Sequence, residues 1–171
     1  MTAGRKLTVL LMLTMVTVIS ALAGLPAPAA SAAEEGTFRG TWIASGTKEP
    51  IDFAPGRDIF TYHVTGLVNL GEGLGEVTDY WSECVGLWDS QTGSTGRCVW
   101  RGLKGQKVYI ALSGRLLEEG VKVTGEVVGG SGHLEGVQGT FTFTWSSVFI
   151  NKDTGTLTAH SEDLAGSYRI P

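Results

Sequence analysis

The chain has little of what many enzymes and nucleic-acid-binding proteins depend on. It holds only two cysteines, three histidines and five prolines in 171 residues. Beyond residue 32 no helix-period apolar stripe continues without a glycine or β-branched interruption, and the short segment Leu116–Glu119 reads as a turn. Cys84 and Cys98 form no Cys-x-x-Cys and have no histidine nearby, so neither a dithiol redox motif nor a zinc ligand set is signalled. His63, His133 and His160 are far apart in sequence, and no metal is expected. There is no Gly-x-Ser-x-Gly elbow to support a serine hydrolase. Basic charge is also scarce: removing Arg5 and Lys6 with a leader leaves 11 basic residues against 17 acidic ones, a net of −6. A protein that binds nucleic acid by neutralising phosphates needs the opposite balance, so no nucleic-acid partner is expected.

The N-terminus carries the three parts of a secretory signal. Arg5 and Lys6 precede an apolar stretch from Leu7 to Leu25, and small residues end it at Ala30-Ser31-Ala32. Residues 1–32 are therefore expected to be a signal peptide cleaved before Ala33, leaving one domain, 33–171. Thr8, Thr14, Thr17 and Ser20 weaken the alternative of a retained membrane anchor, and the leader has no cysteine for a lipid anchor. The expected product is a secreted or periplasmic protein with no stable membrane insertion after cleavage. In an oxidising compartment Cys84 and Cys98 are expected to form a disulfide, whose loop of about 15 residues contributes roughly 3 kcal/mol in the chain-entropy estimate.

Glycine is abundant instead, 25 in all, of which 23 remain after the leader, alongside all five tryptophans and six phenylalanines. That aromatic content argues against disorder and points to short strands joined by tight turns. Strands are predicted near Phe38–Ala44, Ile59–Leu70, Val77–Leu87, Gly96–Arg101, Val108–Gly114, Val121–Val128, Gly139–Ile150 and Thr156–Tyr168. Turn chemistry separates them, as in Ala54-Pro55-Gly56-Arg57 and Asn151-Lys152-Asp153-Thr154-Gly155. Eight consecutive strands with short links predict an all-β fold, an antiparallel meander that removes its open edges by closing into an eight-stranded β-barrel.

Alternation shows which faces turn inward. Phe141, Phe143 and Trp145 share one face of their strand and Thr140, Thr142 and Thr144 the other, so the aromatics are expected inside. Likewise Phe60, Tyr62, Val64, Val68 and Leu70 oppose Thr61, His63, Thr65 and Asn69. Between Val77 and Leu87 neither face is clean, because Asp79 and Glu83 fall with Val77, Trp81, Val85 and Leu87. Either the register there differs, or two carboxylates enter a cavity. On the second reading Glu83 is a weak candidate for an acid. Asp79 and Glu83 lie about 13 Å apart along a strand, too far for the usual glycosidase pair. The aromatics either fill the barrel or line a pocket, since eight strands enclose just enough space for one small ligand. Candidate ligand-binding residues are Trp42, Tyr62, Trp81, Phe143 and Trp145, whereas aromatics on the outside would mark a surface for self-association into a homo-oligomer.

The most specific stretch runs from Val127 to Gly139, where Gly129, Gly130, Gly132, Gly136 and Gly139 predict a bulged, sharply redirected corner. Its Gly-Gly-Ser-Gly-x-Leu-Glu-Gly-Val-x-Gly pattern resembles the signature of the allene oxide cyclase-like and dirigent-like β-barrels, in particular an exported bacterial branch. Gly40-Thr41-Trp42, Cys84-Val85-Gly86, Gly96-Arg97-Cys98-Val99-Trp100 and the closing Gly166–Pro171 extend the resemblance. It implies an eight-stranded barrel with an apolar interior that binds a small apolar or aromatic molecule without a cofactor. It also admits a cofactor-independent cyclase or isomerase acting on a polyene or polyketide-like substrate, and a structural or surface-interaction protein with a packed barrel. The catalytic acid and bound water of the plant cyclases have no aligned counterpart in this sequence.

Overall fold

The computed structural model describes residues 33–171; the expected signal peptide, residues 1–32, lies outside the described residues. Eight strands follow in chain order: β1 (Glu34–Ala54), β2 (Arg57–Leu74), β3 (Val77–Asp89), β4 (Gly93–Gly102), β5 (Lys107–Leu116), β6 (Val121–Gly130), β7 (Gln138–Ile150) and β8 (Thr156–Ile170). Each pairs antiparallel with its successor, and β1 pairs with β8, so the meander closes into the expected barrel. The turn at Leu117–Gly120 joins β5 to β6 as expected.

The largest departure from the sequence reading is the length of β1, which continues ten residues past Ala44. Gly46 and Pro50 look like strand breakers, but the pairing explains why they are tolerated. The ladder with β8 ends at Thr47, while that with β2 continues through Pro50 and Ile51. Pro50 therefore lies in a two-stranded arm with one free edge, where a missing N–H breaks no second ladder.

The second departure concerns β3. Its interior face is Tyr80, Ser82, Cys84, Gly86 and Trp88, and its outer face is Asp79, Trp81, Glu83, Val85 and Leu87. Of the two alternatives for Val77–Leu87, the register one holds: Asp79 and Glu83 lie outside with Trp81, Val85 and Leu87, and neither carboxylate enters the barrel. Tyr80 and Ser82 are buried, whereas Trp81, Val85 and Leu87 are exposed. The two polar interior residues are satisfied there: Tyr80 donates to the Leu74 carbonyl at 3.2 Å, and Ser82 Oγ accepts from Trp42 Nε1 at 2.9 Å.

The glycine corner does form, and its role is to close one end of the barrel. After a bulge that leaves Val128 out of the β5–β6 register, the chain makes a 3-10 turn at Gly132–Leu134 and inserts Leu134 and Val137, both fully buried, beneath the strands. Gly132 and Gly136 take positive φ values of 68° and 76°, which other residues adopt only at a cost. Above this plug a continuous aromatic cluster fills the interior. Phe38 meets Phe141 at 5.9 Å, Phe141 meets Trp100 at 5.2 Å, and Trp100 meets Trp42 edge-on at 5.4 Å.

Cys84 and Cys98 are direct cross-strand partners of β3 and β4, with Cα atoms 4.1 Å apart, and they form a disulfide on the inner wall. Replacing both by alanine is expected to lower unfolding stability by about 3 kcal/mol, read by denaturant titration under oxidising conditions. An unchanged midpoint would show that the hairpin does not depend on the staple.

Candidate functional site

The end of the barrel opposite the plug is open. Four hairpin turns surround it, joining β1 to β2, β3 to β4, β5 to β6 and β7 to β8. Between them a cavity of about 430 Å³ descends to Trp42. This is the size of small-molecule sites, and its wall is mainly apolar. The aromatic interior is therefore filled at one end and hollow at the other, so the two expectations for it hold in different halves.

The strands place the lining side chains by alternation. Trp42 and Lys48 come from β1, Phe60, Tyr62 and Val64 from β2, Cys84 and Trp88 from β3, Phe143 and Trp145 from β7, and Leu157 from β8. Trp42 forms the floor. Its ring is 2% exposed, lies 5.2 Å from Phe143 and 5.4 Å from Trp145, and is fixed by the hydrogen bond to Ser82. Higher up, Phe60 stacks on its cross-strand partner Trp88 at 5.9 Å.

Few polar groups interrupt this wall. The Tyr62 hydroxyl lies 3.3 Å from Ser94 Oγ and 3.4 Å from the Thr95 carbonyl oxygen. Burial pushes the phenol above its ordinary pKa, against the opposing effect of the Ser94 hydrogen bond, so Tyr62 stays protonated and able to donate. The ring reaches that position by lying across Gly86 and Gly96, where an added Cβ would come within 2.3 and 2.5 Å of its oxygen. Lys48, Glu118 and Ser147 stand nearer the mouth.

Of the five candidate ligand-binding residues, Trp42, Tyr62, Phe143 and Trp145 line the cavity. Trp81 does not: it lies on the outer face of β3, 48% exposed. Glu83 shares that outer face and accepts a hydrogen bond from Arg101 at 2.9 Å, with His63 3.4 Å away. The Arg101 hydrogen bond and charge hold Glu83 below the ordinary carboxylate range, the reverse of what a general acid near neutral pH requires. The cavity thus receives neither Glu83 nor Asp79, which is exposed and accepts from Asn69 Nδ2 at 2.7 Å. His160 lies 3.9 Å from Glu162, and His133 sits in the plug turn, so the three histidines do not converge. Among the described residues no group of three metal-ligating side chains comes together.

Sequence reasoning missed Lys48, Trp88 and Leu157 as lining residues. For Lys48 the signal is present, since it continues the even-numbered inward face of Phe38, Trp42 and Ala44, but it lies beyond the predicted strand Phe38–Ala44.

No family model and no curated protein matches the chain. Among solved structures it is similar to that of the pterocarpan synthase dirigent protein, with a TM-score of 0.49 and 8% identity over 81% of this chain and 92% of that one.

An ion pair secures the rim. Asp89 accepts from Arg57, whose Nε donates at 3.0 Å, and from the Gln91 N–H and the Thr92 hydroxyl at 2.9 and 2.8 Å, tying the first hairpin to the second. The Arg57 hydrogen bond, with those from Gln91 and Thr92, holds Asp89 far below the usual carboxylate range. A carboxylate with a depressed folded pKa stabilises the protein fully above its unfolded value of about 3.9, and that contribution is lost as pH falls below it. The melting temperature is therefore expected to fall more steeply below about pH 4 in the wild type than in Asp89→Asn, which melts lower at neutral pH. Parallel pH profiles for the two would show that the rim ion pair does not contribute.

Proposed function

We propose that the protein is an exported barrel that binds one small apolar or aromatic molecule in its open half. The observation that carries this reading is the cavity of about 430 Å³ walled by Trp42, Phe60, Tyr62, Phe143 and Trp145. A core selected only for stability would be filled, because each missing contact weakens packing. The resemblance of the Gly129–Gly139 corner to allene oxide cyclase-like and dirigent-like barrels supports the same reading. The buried disulfide supports export to an oxidising compartment.

One observation favours a second, catalytic reading. The mainly apolar cavity is closed below by Trp42, so a reactive polyene or polyketide-like guest would be held there in a folded conformation, and confinement alone would favour ring closure. That reading requires no metal or organic cofactor. Glu83 has no part in it, since it faces outward.

Binding is tested by titrating a panel of apolar and aromatic compounds while following tryptophan fluorescence. Trp42 and Trp145 face the guest, so binding is expected to quench or shift the emission, and Trp145→Ala is expected to weaken it about tenfold, the effect of losing one aromatic contact. No response to any compound would refute the pocket reading. Bound compounds recovered unchanged by mass spectrometry would refute the catalytic one.

We further propose that the protein forms a homo-oligomer through its outer wall. Ile43, Leu67 and Trp81 are cross-strand neighbours in a lateral row over β1, β2 and β3, all of them about half exposed. Sedimentation is expected to show a multimer that Trp81→Asp converts to monomer, while a wild-type monomer would end this proposal.

A further inference from the structure

The chemistry of the cavity's mouth narrows the class of its occupant. Lys48 is on the inward face of β1, opposite Tyr62 on β2, and it lines the cavity. Its ammonium lies 4.9 Å from the centroid of the Phe60 ring, a cation–π contact. Among the described residues Lys48 is the one cation that lines the cavity. Four cations elsewhere on the barrel have carboxylate partners: Arg57 with Asp89, Arg101 with Glu83, Lys122 with Asp163 and Arg169 with Glu35. Lys48 has none among the described residues.

A lysine that served only to solvate the rim would extend its ammonium into water. Lys48 instead places it against an aromatic ring, within the wall of an apolar enclosure. Tyr62, its cross-strand partner, does not satisfy it, because the hydroxyl leans away across Gly86 and Gly96 toward Ser94. Glu118, the acidic residue at the mouth, belongs to the exposed β5–β6 turn, where water screens its charge.

We infer that the occupant is an anion, an aromatic or aliphatic acid whose carboxylate pairs with Lys48 at the mouth while its apolar body reaches down to Trp42. This rests on the pocket reading above and adds the charge of the guest. An ion pair formed there gains a charge-assisted hydrogen bond in surroundings drier than the protein surface, so it discriminates between an acid and its neutral isostere. The unpaired cations elsewhere among the described residues, Arg39, Arg97, Lys104, Lys107, Arg115 and Lys152, do not line the cavity, so none of them couples a carboxylate partner to an apolar enclosure.

The test uses calorimetric titration of the disulfide-bonded protein with two matched pairs, naphthoate against naphthamide and dodecanoate against dodecanol. At low salt at least one acid is expected to bind about tenfold more tightly than its neutral partner. Lys48→Met is expected to bring that acid to the level of the neutral compound, whose affinity stays unchanged and so shows that the cavity is intact. Lys48→Arg is expected to keep the preference. Equal binding within both pairs, or a preference that survives in Lys48→Met, overturns the inference and leaves the pocket reading standing. Binding of none of the four compounds overturns both.

Discussion

The structure depends on a packing constraint between glycine and aromatic rings on neighbouring strands of a closed sheet. An eight-stranded barrel has a narrow interior, and a large ring standing straight out from each strand would not fit. The rings instead lie sideways over a strand that has no side chain at that position. Phe141 pairs with Gly125 on one side and Gly166 on the other, and an added Cβ at Gly125 would come within 2.2 Å of its ring. Tyr62 lies over Gly86, its partner on β3, and Tyr168 over Gly36, its partner on β1. Five glycines, Gly36, Gly86, Gly96, Gly125 and Gly166, thus make room for aromatic side chains.

From this follows the division of the interior. Toward the base, Phe38, Tyr80, Trp100 and Phe141 interlock above Leu134 and Val137, and the space is full. Toward the mouth, Tyr62 is laid against the wall by Gly86 and Gly96 instead of crossing the lumen, and the space is empty. Trp42 belongs to both halves, touching Trp100 below and Phe143 and Trp145 above. Its hydrogen bond to Ser82 fixes the level at which packing stops and the cavity begins.

The barrel, its strand order, the inward faces of β2 and β7 and the glycine corner were legible because their residues alternate cleanly or carry turn chemistry. The facing of β3 was not, because its solvent side bears Trp81, Val85 and Leu87 while its interior side bears Tyr80, Ser82 and Gly86. Hydrophobicity alone inverts such a strand. Only the partners across the barrel, Trp42 for Ser82 and the Leu74 carbonyl for Tyr80, make a polar interior acceptable, and those contacts are remote in sequence or made by backbone. The same facing decided the site, since it keeps Trp81 and Glu83 out of the cavity. Lys48 was hidden for a different reason: a strand that loses one neighbour can carry glycine and proline, and local propensity does not record how many neighbours a strand has.

The arrangement of connections has a consequence for where the chain tolerates change. At the open end every link among the described strands is a hairpin between neighbours, with turns near residues 55, 91, 118 and 153. Lengthening or shortening one of them leaves strand pairing untouched and does not reach the Leu134 plug at the far end. The plug and the cavity thus lie at opposite poles of the same cylinder. Apart from the turns tied by Arg57 and Asp89, changes at the entrance leave the foundation of the fold intact.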